Sequence, residues 1–157
     1  MTQPPVVLTI AGSDSGGGSG LQADLRTFAA RSVHGVCSLT VISSQNTNEF
    51  RSALPVPALV VRSQIEAILD DFEVKSVKTG LLYSEENIEL IGEMADADLL
   101  PSLIVDPVIV NRHGELLYDS ATIALMRQRL IPRALVITPN HIEAMHILGA
   151  EIEDDVD

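Results

Sequence analysis

Between residues 14 and 20 the chain reads Asp14-Ser15-Gly16-Gly17-Gly18-Ser19-Gly20. Glycines let the backbone approach a ligand closely and take positive φ, and a helix that follows them offers free N–H groups to an anion. Two nucleotide-binding patterns fail against these residues. A P-loop ends in Gly-Lys-Ser/Thr, whereas Gly20 is followed by Leu21-Gln22. A dinucleotide fingerprint begun at Gly16 needs a glycine where Leu21 stands. A turn with no ligand is the alternative on glycine content alone.

Other polar residues invite the same question. Gln45-Asn46-Thr47 carries amides that both donate and accept, which suits the edge of a heteroaromatic ring, or an ordinary polar turn. Asp24 is either a ligand contact or a solvated carboxylate early in a helix. Asp106, before Pro107, either fixes a strand-end turn or faces a ligand. Asn140 followed by Glu143 has the spacing of a capping box, which needs no catalysis. His34, His113, His141 and His146 lack metal-site spacing, and Cys37, in an apolar run, reads as a small buried hydrophobe.

The elements that must position these residues alternate. Residues 6–11 form a buried apolar strand and residues 21–30 a helix; 36–42 is a second β-branched run. Apolar residues at Val61, Ile65, Ile68, Leu69 and Phe72 give one face of a helix over 58–72. A strand over 76–79 follows. The next helix carries Ile88, Ile91 and Met94, with Ser84 as N-cap and Glu85 and Glu86 at its positive end. Then come a strand over 103–105, a helix marked by Ile123, Met126 and Leu130, a strand over 134–137, and a helix over 140–148 closed by Gly149. Residues 46–57 lack helical period and hold an extra strand or an excursion from the sheet. This alternation predicts an α/β fold, a mostly parallel sheet with helices on both faces. Each strand runs into polar or glycine residues: Gly12-Ser13-Asp14, Ser44-Gln45-Asn46-Thr47, Thr79-Gly80, Asp106 and Thr138-Pro139-Asn140. In an open parallel sheet these ends share one edge, where ligands bind.

Composition bounds the function. The chain has 157 residues, 46% hydrophobic and 20% charged. That is enough by length for one compact domain and not clearly for two, with an aliphatic core. A net charge of −12 argues against nucleic-acid or anionic-membrane partners. It leaves room for a phosphorylated ligand in a local pocket. One cysteine fits a reducing compartment, and the first residues have neither a basic start nor an apolar run long enough for a signal peptide or span. Together these predict a cytoplasmic protein. The acidic residues after Gly149 resemble the opening of another helix, so the sequence reads as cut short on its C-terminal side.

The motifs carry a resemblance. LTIAGSDSGGGSGLQADLRTF (residues 8–28) is similar to the opening signature of the hydroxymethylpyrimidine/phosphomethylpyrimidine kinases of thiamine biosynthesis, in the ribokinase-like superfamily. Gln45-Asn46-Thr47, Lys78-Thr79-Gly80-Leu81-Leu82, Val105-Asp106-Pro107-Val108 and Ile137-Thr138-Pro139-Asn140-His141-Ile142-Glu143-Ala144 follow in family order. The opening block is specific to that family. The Thr-Pro-Asn-x-x-Glu block is shared across the wider group.

This resemblance implies ATP-dependent phosphorylation of 4-amino-5-hydroxymethyl-2-methylpyrimidine and of its monophosphate, and makes residues 1–157 the N-terminal, substrate-binding portion of a single ribokinase-like domain. It implies Gly12, Asp24, Gln45 and Val108 around the pyrimidine, with Leu81 nearby and Gln45 reading the ring edge. It implies Asn140 and Glu143 for ATP, with Glu143 acting on Mg²⁺ indirectly, and a homo-oligomer in full-length members. No catalytic residue is assigned within the chain, because the family's base, anion hole, upstream lysine and adenine pocket are expected beyond residue 157. A non-catalytic pyrimidine-binding or partner-completing module, and a pyridoxal/pyridoxine kinase, stand as alternatives.

Overall fold

The computed structural model describes residues 4–111 and 113–150. In chain order the elements are β1 (Val6–Ala11), α1 (Gly20–Ala30), β2 (His34–Leu39), β3 (Val41–Gln45), β4 (Phe50–Pro55), α2 (Ala58–Asp71), β5 (Val74–Thr79), α3 (Glu85–Asp96), β6 (Leu103–Val105), α4 (Ser120–Arg129), a 3-10 turn (Ile131–Arg133), β7 (Val136–Ile137) and α5 (His141–Leu148).

Five strands form a wholly parallel sheet in the order β2-β1-β5-β6-β7. The chain steps from β1 to β2 in one direction and from β1 to β5, β6 and β7 in the other. Right-handed crossovers therefore place α1 on one face and α2, α3 and α4 on the opposite face. The second face holds the main core. There Leu8, Ile10, Val77 and Val105 of the sheet pack with Val61, Ile65, Ile88, Ile91, Ile123 and Met126 of the helices, all buried. The reversal of strand order falls between β1 and β5, the crevice where doubly wound sheets take ligands.

The helix ends follow the sequence signals. The Ser84 hydroxyl accepts from the Asn87 N–H at 3.2 Å, and Glu85 and Glu86 occupy the first turn of α3. At α5 the capping box is complete in both directions, and Gly149 closes the helix at φ 68°.

Three expectations change. The run at 36–42 is two strands, because the chain turns at Thr40. That residue is fully buried, and its hydroxyl donates to the Leu81 carbonyl at 2.6 Å. Beyond it β3 leaves the main sheet and pairs antiparallel with β4, from Val41 opposite Pro55 to Gln45 opposite Phe50. β4 is the extra strand expected within 46–57, but the departure from the sheet begins earlier than expected, at Val41. The third change is Cys37, which is exposed, not buried: β2 is an edge strand, and Cys37 lies beside Thr9 on the face that carries α1. The acidic residues 151–157, expected to open a helix, lie outside the described residues. Among the described residues no helix is long and apolar enough to cross a membrane.

Candidate active site

The C-terminal ends of the strands form one rim, and the sheet ladder continues into it. The Gly80 N–H donates to the Ile10 carbonyl at 2.9 Å, Asp106 N–H to Thr79 at 3.1 Å, and Thr138 N–H to Val105 at 3.0 Å. Gly12, Gly80, Asp106 and the chain leading to Asn140 are thereby set side by side. Gly12 must be glycine: a Cβ there would lie 2.6 Å from Val41 Cγ1 and 3.7 Å from Leu81 Cδ2. That crowding brings Gly12, Leu81 and the root of the β3–β4 hairpin together. Gly20, at φ 58°, lets the loop close on itself, since a Cβ there would meet the Gly12 carbonyl at 2.4 Å.

The glycine-rich loop is built around Asp14. Its carboxylate accepts from the Gly16 N–H (2.8 Å), the Ser19 N–H (2.8 Å) and the Ser19 hydroxyl (3.0 Å), while Gln22 Oε1 takes the Asp14 N–H at 2.8 Å. Burial pushes the Asp14 carboxyl up. The Gln45 side chain, the two N–H donors and the Ser19 hydroxyl outweigh it and hold the group down at about 2. Gln45 is therefore not at the end of the second sheet strand, as the alternation implied. It ends β3, and hydrogen bonds to residues 13–15 carry it to the rim.

Asp24 lies one turn into α1, over the sheet face that also presents Thr9 and Lys78, which are register neighbours on β1 and β5. The Thr9 hydroxyl donates to Asp24 Oδ2 at 2.6 Å. Lys78 Nζ donates to both Asp24 oxygens, at 3.0 and 3.1 Å, and lies 3.2 Å from Asp106 Oδ2. Burial raises the Asp106 carboxyl above its ordinary value. The Lys78 charge opposes that rise, and the Glu143 and Asp24 charges add to it. Two carboxylates share one ammonium, which leaves this part of the rim net negative.

A second group gathers at Val108. This β-branched residue sits at φ 42°. Such a strained conformation persists only when neighbours over-determine it. The determinant is Glu143. Its buried carboxylate accepts from the Ile109 N–H through Oε1 at 2.9 Å and from the Asn140 N–H through Oε2 at 2.9 Å. Asn140 Oδ1 in turn accepts from the Glu143 N–H at 3.0 Å. Capping and loop support thus use the same carboxylate. Asp106 joins the two groups, ion-paired to Lys78 on one side and within the field of Glu143 on the other.

Sequence alone singles out Asp24 and Asp106 without their partner. Lys78 stands inside one of the motifs, and its alternation with buried Val77 and Thr79 is the available sign that it faces α1. Among the described residues no three His, Cys, Asp or Glu side chains cluster as a metal site. Mg²⁺ typically takes one or two carboxylates and completes its shell with waters and substrate phosphates, so Asp106 and Glu143 fit it only beside a bound nucleotide. A separate groove between α2, α3 and α4 is lined by Arg62, Glu85, Glu86, Glu89 and Glu93 and shares no residue with the rim. Its acidic walls repel phosphate.

An open parallel sheet with this rim defines an α/β protein of the ribokinase-like class. The chain belongs to the phosphomethylpyrimidine kinase family, whose model matches residues 14–157. It is 43% identical over 154 residues to the hydroxymethylpyrimidine/phosphomethylpyrimidine kinase of Streptomyces coelicolor, a match covering 98% of this chain and 57% of that protein. Its fold is similar to the crystal structure of phosphomethylpyrimidine kinase from Clostridium difficile 630. The TM-score is 0.88 and the identity 38%, over 96% of this chain and 65% of the other. It is also similar to an ADP complex of Bacillus subtilis pyridoxal kinase, at TM-score 0.87 and 37% identity, over 98% and 58% of the two chains. The chain thus spans somewhat more than half the length of the S. coelicolor relative.

Proposed function

We propose that this chain forms the substrate-binding part of a kinase that phosphorylates 4-amino-5-hydroxymethyl-2-methylpyrimidine and its monophosphate with ATP, in thiamine biosynthesis. The observation that carries the reading is the meeting of Gly12 and Leu81 at the root of the β3–β4 hairpin, whose Gln45 is bonded to the glycine-rich loop, on the strand-end rim that also carries the Asp24–Lys78–Asp106 group. Gln45 supplies the amide for the ring edge. Gly12 leaves the ring room, Leu81 and Val108 give it apolar walls, and Asp24 accepts from a ligand donor. In the transfer, the substrate hydroxyl oxygen bonds to the γ-phosphorus, the bond to the β,γ-bridging oxygen breaks, and ADP leaves. We place the group that takes the hydroxyl proton, with the anion hole, in sequence equivalent to the remaining length of the relatives.

Asn140 and Glu143 would serve the phosphate side, Glu143 by holding the Ile109 N–H of the Asp106–Ile109 turn and by acting on Mg²⁺ indirectly. Bound Mg²⁺ supplies neutralisation of charge on the phosphate oxygens. The 157-residue chain alone is expected to bind the pyrimidine weakly without turnover, the behaviour of a substrate-binding module. Similarity to the pyridoxal kinase supports a second reading, in which a pyridine replaces the pyrimidine. Calorimetric titration with the hydroxymethylpyrimidine and with pyridoxal, on wild type and Gln45→Ala, tests both. The expected result is pyrimidine preference, and a loss of about three- to tenfold in Gln45→Ala, the range of one net hydrogen bond. Equal affinity of the two proteins for the pyrimidine removes Gln45 from the site.

A further inference from the structure

Gln45 stands on a hairpin outside the main sheet, so something other than the sheet ladder must hold it on the rim. The structure supplies a side-chain seam. The Ser13 N–H donates to the Val41 carbonyl at 2.8 Å, and the Ser13 hydroxyl accepts from the Ser43 N–H at 3.1 Å. The Ser43 hydroxyl returns a bond to the Ser13 carbonyl at 2.5 Å. Two residues on, the Ser15 hydroxyl accepts from the Gln45 N–H at 2.8 Å and donates to the Gln45 carbonyl at 2.6 Å. Residues 41, 43 and 45 are thus fastened to residues 13 and 15 at the two-residue spacing of a strand pair. Serine hydroxyls here take the place of backbone partners.

The Ser15 bonds close both polar groups of the Gln45 backbone at the point where the hairpin register slips, between Ser44 and Gln45. At such a slip the ladder alone specifies position weakly.

We infer that Ser15 is a positioning residue for substrate recognition: it fixes the Gln45 backbone on the rim, and with it the place from which the Gln45 amide meets the substrate ring. The inference deepens the proposed function and rests on it. It assigns selection of an aminopyrimidine over a hydroxypyridine to the glycine-rich loop, because the loop sets where the Gln45 amide, which carries both a donor and an acceptor, meets the ring edge.

The test uses the whole chain as wild type, Ser15→Ala, Ser15→Thr and Gln45→Ala. Calorimetry measures 4-amino-5-hydroxymethyl-2-methylpyrimidine and pyridoxal, and amide hydrogen exchange follows Gln45. Ser15→Ala is expected to speed exchange at the Gln45 N–H and to weaken the pyrimidine by about three- to tenfold. The ratio of pyrimidine to pyridoxal affinity falls, the unfolding midpoint stays near that of wild type, and Ser15→Thr restores both affinity and protection. Unchanged pyrimidine affinity in Ser15→Ala, with a loss in Gln45→Ala, overturns the role of Ser15 and leaves the Gln45 reading standing. Unchanged affinity in Gln45→Ala, or no pyrimidine binding by wild type, overturns that reading and this inference with it. Equal loss of pyrimidine and pyridoxal in Ser15→Ala overturns the selectivity assigned to the loop.

Discussion

The Lys78 ammonium contacts both carboxylate oxygens of Asp24, at 3.0 and 3.1 Å, across 54 residues of sequence. The pair ties β5 to α1, and Thr9 from β1 completes it. The Lys78 and Asp24 side chains are only 22% and 16% exposed. Solvent therefore screens them weakly.

Lys78→Met is expected to destabilise the chain by about 1–3 kcal/mol, because it strands Asp24 and Asp106 together in a partly buried place. In a double-mutant cycle with Asp24→Asn, urea denaturation should give a coupling of at least about 1 kcal/mol. Additive losses would mean that the two side chains merely coincide in space.

Asp14 sets a pH window. Its folded-state value of about 2 lies below the ordinary 3.8, so the unfolded chain binds more protons between those two values. Stability from Asp14 is then fully present above about pH 4 and is lost as pH falls through about 2. The difference in unfolding free energy between wild type and Asp14→Asn should be constant from about pH 5 to 7, above that window, and should close on acidification. A difference that grows towards low pH would show that the sign is wrong. Asp106 acts oppositely: its raised value makes the ionised form a cost at neutral pH, a cost relieved as pH falls.

Much of this architecture can be read from residue order. The β1 strand, the α2 face and the Asn140–Glu143 cap declare themselves locally, because period, capping chemistry and turn residues depend on near neighbours. The turn at Thr40 does not, since the run from Val36 to Ile42 is apolar or β-branched on both sides of it. The reason for the break is the Leu81 carbonyl, 41 residues away. Lys78 has the pattern of the solvent-facing residue of a half-buried strand until α1 places Asp24 over it. Val108 carries no mark of positive φ; its conformation is imposed through Ile109 by Glu143. The exposure of Cys37 is hidden for a similar reason, because an apolar run does not say which strand lies at the edge. The rim itself is legible, since in a parallel sheet every strand end of one sense meets at one side.

Glu143 connects the cap to that rim, and its removal should be felt in both. Glu143→Ala leaves the Ile109 and Asn140 N–H groups without their acceptor and is expected to cost about 2–4 kcal/mol, against about 1–2 kcal/mol for Glu143→Gln, which keeps one carbonyl oxygen. Chemical denaturation provides the stabilities, and hydrogen exchange at Ile109 provides the local readout. Equal stability of Glu143→Ala and wild type would show that the Val108 turn holds itself.

The last prediction concerns β7. This strand pairs with β6 on one side only among the described strands, and it runs beside Leu135, with Leu135, Val136 and Ile137 at 70%, 47% and 39% exposure and Leu148 of α5 at 63%. An unpaired, apolar, parallel edge is a template for another strand. Native edges are usually blunted by charge, proline or cover, and β7 itself carries neither a charge nor a proline. The 157-residue chain is therefore expected to self-associate, its weight-average mass rising with concentration in sedimentation experiments. Val136→Lys should suppress that rise, because a charge on the exposed edge strand penalises pairing. A segment equivalent to the C-terminal part of a relative, supplied as a separate polypeptide, should compete with self-association and raise the unfolding midpoint by mass action. A chain that stays monomeric across the accessible concentration range, with Val136→Lys indistinguishable from it, would show that this edge is tolerated bare.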